Sequence, residues 1–181
     1  MRRVAARALA SMGDRRAREA LLALLEDADE VVRGIAGEAL VKHCGDESVP
    51  PLAARLSSQD PEVRRVVAAA LAERREAAAR GAMIGLLADP DPDAVLRRTA
   101  ARSFERLPDR RALDPLVALL RDPDSRLRRA AARALAQIHD SSAAAALCHA
   151  AKSEDARLRT IAVAALALTT GATTHQAAAS A

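Results

Sequence analysis

The chain has 181 residues, of which 28 are basic and 24 are acidic, and half of it is apolar. It contains no Trp, no Tyr and a single Phe, and its apolar half is mostly Ala, Leu and Val, which favours an all-α fold of closely packed helices. The net charge of +4 is too small to indicate nucleic-acid binding by itself. The sequence contains no run of 18 apolar residues, so it predicts no membrane span.

The first segment, MRRVAARALASM, has some features of a targeting peptide. Its apolar stretch is interrupted by Arg7 and is too short for a secretory signal. The segment instead matches the second half of the repeat that follows it in the chain. We expect either that the protein extends upstream or that this open end packs on a partner or on a second copy of the chain.

From residue 27 onward one pattern recurs. It reads DADEVVRGIAGEAL up to Leu40, and four further copies end at Leu71, Phe104, Leu135 and Leu166. One Arg anchors every copy, in steps of 31, 31, 33, 31 and 31 residues: Arg2, Arg33, Arg64, Arg97, Arg128 and Arg159. Six matched copies cannot arise by chance, so the chain is a repeat array.

Each copy is predicted to form two helices, A followed by B. Helix B begins near an Asp four residues before the anchor, because that side chain caps free backbone N–H groups. With the anchor as position 0, apolar residues fall at −1, +2, +3, +6 and +7 of helix B and lie on one face, as Val32, Ile35, Ala36, Ala39 and Leu40 do in the Arg33 copy. Helix A carries paired apolar residues, as in Leu21-Leu22 and Leu24-Leu25. Two short helices cannot bury their apolar faces alone, so neighbouring copies are expected to stack.

The copy at 119–135, LLRDPDSRLRRAAARAL, resembles the LL-x-D-P-D-x-x-VR-x-x-A-x-x-AL signature of the HEAT-like repeats first described in phycobilisome lyase subunits. The resemblance covers residues 2–168. It implies an all-α, right-handed α–α superhelix, a HEAT-like solenoid of about five helix pairs after an N-terminal half-repeat. We therefore predict a solenoid at 1–168 and a disordered tail at 169–181, which lacks periodicity.

The anchors and the Asp residues before them are the most regular polar feature. A partly buried guanidinium needs acceptors, so we predict that each anchor bonds an Asp of its own or an adjacent repeat and fixes the register between repeats. A binding stripe is the alternative. This structural ladder consists of Arg33, Arg64, Arg97, Arg128 and Arg159 with Asp29, Asp60, Asp93, Asp124 and Asp155.

A second set of arginines lies at positions +1 and +5 of helix B and has no matching series of acidic residues. The two positions are one helical turn apart, so they line one ridge. The resemblance implies that the B helices form the concave surface of the solenoid. The candidate partner-binding residues are therefore Arg65, Arg98, Arg102, Arg129 and Arg133, with an ordinary solvated face as the alternative.

No catalytic signature is found: the sequence has no G-x-S-x-G, no P-loop and no dinucleotide fingerprint. The His-Glu pairs of HEAT-like iron hydroxylases are also missing, so we expect no metal site and no cofactor. Cys148 takes a slot filled by Ile84 and Val117 in other copies and is expected in the core, whereas Cys44 lies at a helix end. These cysteines are too far apart for a disulfide, which is typical of a reducing compartment, and we predict a cytoplasmic location.

Together these patterns predict a non-enzymatic scaffold that binds an acidic protein partner on the concave face of the B helices. Two alternatives stay open. One is an accessory subunit of a phycobilin-lyase-like enzyme, which the repeat resemblance alone suggests. The other is a weak, nonspecific nucleic-acid binder that uses the basic ridges, although the aromatic residues on which bases stack are missing.

Overall fold

The computed structural model describes residues 1–12, 14–43, 46–89 and 93–178. Within these ranges there are eleven α-helices, three short 3-10 helices and no strand. In chain order they form one lone B helix followed by five A–B pairs, which confirms the predicted all-α repeat architecture. No helix of this described part has the length and apolar character needed to cross a membrane. The chain divides into two compact units, Met1–Gly85 and Leu86–Ala181.

The first unit contains three B helices, α1, α3 and α5, with the A helices between them. The helix bounds are α1, Arg2–Met12; α2, Arg15–Leu24; α3, Glu30–His43; α4, Val49–Ala54; α5, Pro61–Ala72; and α6, Ala77–Ala88, which runs past the unit boundary. Short 3-10 helices at Asp46–Ser48 and Arg55–Ser57 flank α4. Helix α3 packs against α1, α2 and α5, so successive B helices are direct neighbours.

The second unit repeats this arrangement around α9. The helix bounds are α7, Ala94–Arg106; α8, Leu113–Leu119; α9, Ser125–Gln137; α10, Ser141–Ala150; and α11, Ala156–Ala178. A 3-10 helix at Arg110–Ala112 leads into α8. Helix α9 packs against α7, α8, α10 and α11, so three consecutive B helices, α7, α9 and α11, lie side by side.

The last helix is longer than the sequence predicts. The backbone of residues 169–178, assigned above to a disordered tail, continues α11. Extending a helix that is already nucleated fixes one residue for each hydrogen bond gained, so apolar periodicity is not required for this continuation. Residues 179–181 lie outside the described residues, and the division of the chain at residue 168 stays a prediction.

Capping aspartates set the starts of the helices. An Asp carboxylate accepts a hydrogen bond from a backbone N–H in the first turn of α2, α5, α7, α9 and α10 at 2.7–2.8 Å: Asp14, Asp60, Asp93, Asp124 and Asp140. Each satisfies an N–H group that the helix itself leaves free. Asp29 and Asp155 accept in the same way in the first turns of α3 and α11, at 3.0 Å. The predicted role of Asp in starting the B helices is therefore confirmed for α3, α5, α7, α9 and α11.

The apolar face of the B helices forms the core of each unit. The residues at position −1 are at most 1% exposed: Val32, Val63, Leu96, Leu127 and Leu158. Position +3 is also fully buried in the same helices, and Phe104, the one aromatic residue, fills a +7 slot. Position +2 is less buried than these, since Ile35, Val66, Thr99 and Ile161 are only half-buried, although Ala130 is buried. This slot lies at the edge of the apolar face.

Candidate partner-binding surface

The anchor arginines fasten the loop that precedes their own helix. In four repeats the Nη1 atom donates to the two backbone carbonyls six and five residues earlier, at 2.8–3.4 Å. These four anchors are Arg33, Arg64, Arg128 and Arg159. The acceptors belong to the loop between helices A and B, so each guanidinium closes that loop onto the start of helix B.

Arg2, Arg97 and Arg128 also bond a carboxylate of the next repeat. The N–O distances are 3.2 Å for Arg2–Asp27, 2.7 Å for Arg97–Asp122 and 2.8 Å for Arg128–Asp155. Of these carboxylates, only that of Asp155 belongs to the predicted Asp series. Pairing of an anchor with the Asp of its own repeat is not seen within the described residues, because that Asp caps the helix instead.

Sequence reasoning missed a second loop residue, six positions before the anchor. Its side-chain oxygen accepts a hydrogen bond from the backbone N–H of the Asp two residues later, at 2.8–3.3 Å. The residues concerned are Asp27, Ser58, Asp122 and Ser153. The recurring Asp/Ser-x-Asp spacing is the sequence signal that identifies them.

Hydrogen bonds to these carboxylates change their acidity. Backbone N–H groups, that of Leu158 first, together with the Arg128 guanidinium, hold the pKa of Asp155 below its ordinary value. A hydrogen bond from the Arg3 side chain likewise lowers the pKa of Asp29. Both carboxylates are therefore held ionised in the folded chain.

The five predicted binding arginines are not equivalent. Arg65 lies in the first unit and forms an ion pair with Glu62, one turn earlier on α5. Arg98 lies in the second unit, with its Nη1 atom 3.8 Å from Asp124 Oδ2. Two members of this set therefore have acidic partners, although no series of acidic residues matches the set in the sequence. The reason for Arg98 is geometric, since position +1 reaches the capping Asp of the next repeat.

Arg102, Arg129 and Arg133 do come together, in the second unit. With Arg126 and Arg157 they line a cavity of about 310 Å³, whose sixth lining residue is Ala130. Helix α7 supplies one of these arginines, α9 three and α11 one. No carboxylate of the described residues lines the cavity. Within the described residues, none of these five guanidinium groups donates a hydrogen bond to the protein or forms an ion pair.

A second cavity of about 310 Å³ adjoins the first. It shares Arg102 and Arg126 with it and adds Val95, Arg98 and Thr99. We call the two cavities together the arginine groove, defined by its six basic residues: Arg98, Arg102, Arg126, Arg129, Arg133 and Arg157. Helices α7, α9 and α11 therefore present a continuous cationic surface.

Sequence reasoning missed two members of this groove, Arg126 and Arg157. Both occupy position −2 of helix B, one turn before position +1. Positions −2, +1 and +5 are spaced i, i+3 and i+7, so they lie on one face of the helix. Extending the +1/+5 ridge by one turn toward the N-terminus would have found them.

The field of the groove reaches a nearby carboxylate. Burial raises the pKa of Glu105 on α7, while the positive charges of Arg133, Arg102 and Arg106 act against that rise. The Oε1 atom of Glu105 is buried and accepts no hydrogen bond among the described residues. Glu105 therefore offsets part of the positive charge without pairing with any one arginine.

Two other cavities have a different chemistry. The first is larger, about 540 Å³, and lies beside α8 and α10. Its cations Arg121, Arg128 and Lys152 share the lining with Asp122, and Arg128 is already held by loop carbonyls and Asp155. The second, of about 350 Å³, lies between α3 and α5 in the first unit. Small apolar residues such as Gly34 and Ala69 line most of it, together with Glu38, Lys42 and Glu73. Among the described residues, each of these cavities has at least one carboxylate in its lining, unlike the arginine cavity.

Residues considered for redox or metal chemistry are dispersed. Cys148 is exposed on α10, which corrects the prediction of a core position, because its neighbour Leu147 fills the core instead. Cys44 and the side chain of His43 lie outside the described residues. In the part of the chain that the structure describes, no three His, Cys, Asp or Glu side chains are placed to hold a metal ion.

A family model for HEAT repeats matches residues 1–72 and 82–167, most of the chain. The chain belongs to the HEAT repeat family. A comparison with curated proteins finds no match.

Solved structures show the same architecture. This HEAT repeat protein is similar to an engineered protein at 27% identity, with 93% of this chain and 90% of that chain covered and a TM-score of 0.61. The complex of CpcE and CpcF of phycocyanin lyase from Nostoc sp. PCC7120 is similar at 24% identity, with 85% and 65% covered and a TM-score of 0.69. A designed armadillo repeat protein in complex with the peptide (KR)4 is similar at 20% identity, with 92% of each chain covered and a TM-score of 0.64. These likenesses confirm the predicted solenoid fold.

Proposed function

We propose that this HEAT repeat protein is a non-enzymatic scaffold that binds an acidic segment of a protein partner in the arginine groove. One observation carries the proposal. Five guanidinium groups from three neighbouring helices surround one cavity that no carboxylate lines. An acidic ligand would relieve the mutual repulsion of these groups and form charge-assisted hydrogen bonds with them.

The anchor arginines of the same chain provide a comparison for the cavity arginines. Arginines that serve the fold of this chain are bonded to loop carbonyls or to carboxylates, as Arg128 is to both. Among the described residues, the cavity arginines on the same helices have no such acceptors. Paired guanidinium groups stabilise the fold, whereas a converging unpaired set is suited to an external anion.

A protein ligand suits the groove better than a nucleic acid. Single-strand binders combine cationic grooves with aromatic side chains on which bases stack. The sequence has no Trp or Tyr, and Phe104 is fully buried. A solenoid of similar fold binds the basic peptide (KR)4. The positive lining of the groove here favours a peptide of opposite charge.

Fluorescence anisotropy with a labelled eight-residue peptide of alternating Glu and Ser tests this proposal. The triple variant R102E/R129E/R133E is expected to bind at least about tenfold more weakly than the unmodified chain, because three charge-assisted contacts become repulsive. The matched control R16E/R75E/R121E makes the same change in net charge at three exposed arginines outside the groove. Equal weakening by both variants would show that bulk charge, not the groove, attracts the peptide.

A further inference from the structure

The number of cations around one small cavity places a demand on the charge of its ligand. Five guanidinium groups converge there, and each carries five N–H donors. A carboxylate supplies a single negative charge and two oxygens. A phosphate monoester supplies about −1.5 to −2 charges at pH 7 and three strongly accepting oxygens. One phosphoryl group therefore neutralises more of this cavity than one Asp or Glu side chain does.

The directions from which the cations approach the cavity also favour a phosphoryl group. Arg102 approaches from α7, Arg157 from α11, and the i, i+3, i+7 stripe of Arg126, Arg129 and Arg133 from α9 between them. A carboxylate is planar and offers its two oxygens in one plane. A phosphoryl group is tetrahedral, so its three oxygens can be contacted from three helices at once.

Arginine chemistry adds geometric selectivity. Because 26 of the 28 basic residues of the chain are Arg, finding Arg rather than Lys in the groove is not itself a signal. The arginines still affect which ligand binds, because a planar guanidinium group bonds a phosphoryl group through two parallel hydrogen bonds, whereas Lys acts as a point charge.

The adjoining cavity indicates what lies beside the phosphoryl group. It shares Arg102 and Arg126, but its third cation, Arg98, is partly offset by Asp124 at 3.8 Å. Val95, 37% exposed, adds an apolar edge. This weaker cationic site is suited to a carboxylate that neighbours the phosphorylated residue in the ligand.

From these observations we infer that the arginine groove recognises a phosphorylated serine or threonine within an acidic segment of the partner, in preference to carboxylates alone. The inference rests on the proposed function and specifies its ligand. The cavity of Arg102, Arg126, Arg129, Arg133 and Arg157 takes the phosphoryl group, and the adjoining cavity takes a flanking acidic side chain.

Three labelled ten-residue peptides of Glu and Ala, identical except for a central phosphoserine, Glu or Ser, test this inference by fluorescence anisotropy with the full chain. The phosphopeptide is expected to bind about tenfold tighter than the Glu peptide, because of its higher charge and third oxygen. Its affinity is expected to fall between pH 7 and pH 5, since the second pKa of the phosphate is about 6, while that of the Glu peptide changes little.

A charge-conserving variant separates phosphate recognition from bulk attraction. In R129K/R133K the phosphopeptide is expected to lose most of its advantage, while the affinity of the Glu peptide stays within about threefold. The control R16K/R121K, at exposed positions outside the groove, is expected to leave both affinities unchanged.

Equal binding of the phosphoserine and Glu peptides overturns the inference but leaves the proposed function standing. Failure of both peptides to bind overturns both. Tighter binding of a labelled ten-nucleotide oligothymidylate than of the phosphopeptide overturns the inference in favour of a nucleic-acid backbone.

Discussion

Replacing Arg128 with Met tests the structural role of the anchor ladder. The Arg128 guanidinium donates to the carbonyls of Asp122 at 2.8 Å and Pro123 at 3.1 Å, and to Asp155 Oδ2 at 2.8 Å. The side chains of Arg128 and Asp155 are 21% and 15% exposed. Met keeps much of the apolar stem but donates no hydrogen bond, so the loop and the link to the next repeat are lost together.

The size of the effect follows from these contacts. Hydrogen bonds that involve a charged group contribute about 1.5–3 kcal/mol each, and partial exposure reduces that contribution because water competes. For three bonds of one partly exposed side chain we expect the free energy of unfolding to fall by about 2–4 kcal/mol. In a chain of this length, that corresponds to a decrease of about 4–16 °C in Tm.

Urea unfolding followed by circular dichroism at 222 nm, together with a thermal scan, measures this loss. The matched control is Arg126→Met on the same helix, where the exposed side chain has no protein acceptor among the described residues. That variant is expected to stay within about 0.5 kcal/mol of the unmodified chain. If Arg128→Met is equally mild, the anchor contacts do not stabilise the fold and the reasoning is refuted.

Four further predictions concern stability. Gly34→Ala is expected to stabilise the chain by up to about 1 kcal/mol through helix propensity, because nothing lies within 4 Å of the added Cβ. Gly37→Ala is expected to gain less or to destabilise, because its Cβ would clash with the stiff Val66 side chain; equal urea midpoints for the two variants would contradict this. Because its pKa is lowered, the Asp155 carboxylate contributes to stability above its ordinary pKa of 3.8, and this contribution is lost as the pH falls further. Asp155→Asn should therefore lose less unfolding free energy on acidification than the unmodified chain does. The raised pKa of Glu105 predicts the opposite pH dependence, in which the free energy of unfolding declines as the pH rises above 4.5. Glu105→Gln should remove this decline in urea titrations between about pH 4 and pH 7.

The fold could be predicted from the sequence because repeat periodicity, capping residues and apolar spacing all indicate the same helices. The hydrogen-bond partners of the anchor arginines could not be predicted in this way. The 31-residue period shows that Arg128 and Asp124 recur together, yet Asp124 caps α9 and the arginine bonds loop carbonyls, which carry no mark in the sequence. Sequence periodicity reports that two residues recur, not which atoms they contact.

The candidate site shows the same limit. Positions +1 and +5 indicated a basic ridge, but Arg65 and Arg98 on that ridge are paired with carboxylates. The unpaired cluster depends on packing, since Arg102 and Arg157 come from helices on either side of α9 and lie 55 residues apart in the chain. Only the packing of neighbouring B helices brings these side chains to one cavity.

A charge-swap experiment tests the central claim, binding of an acidic segment in the arginine groove, most directly. Anisotropy titrations would compare labelled (ES)4 and (KR)4 peptides against the unmodified chain and R102E/R129E/R133E. If the groove determines ligand charge, the unmodified chain prefers the acidic peptide and the variant prefers the basic one. A variant that still prefers the acidic peptide would contradict the account, because the ligand would then be bound elsewhere on the chain.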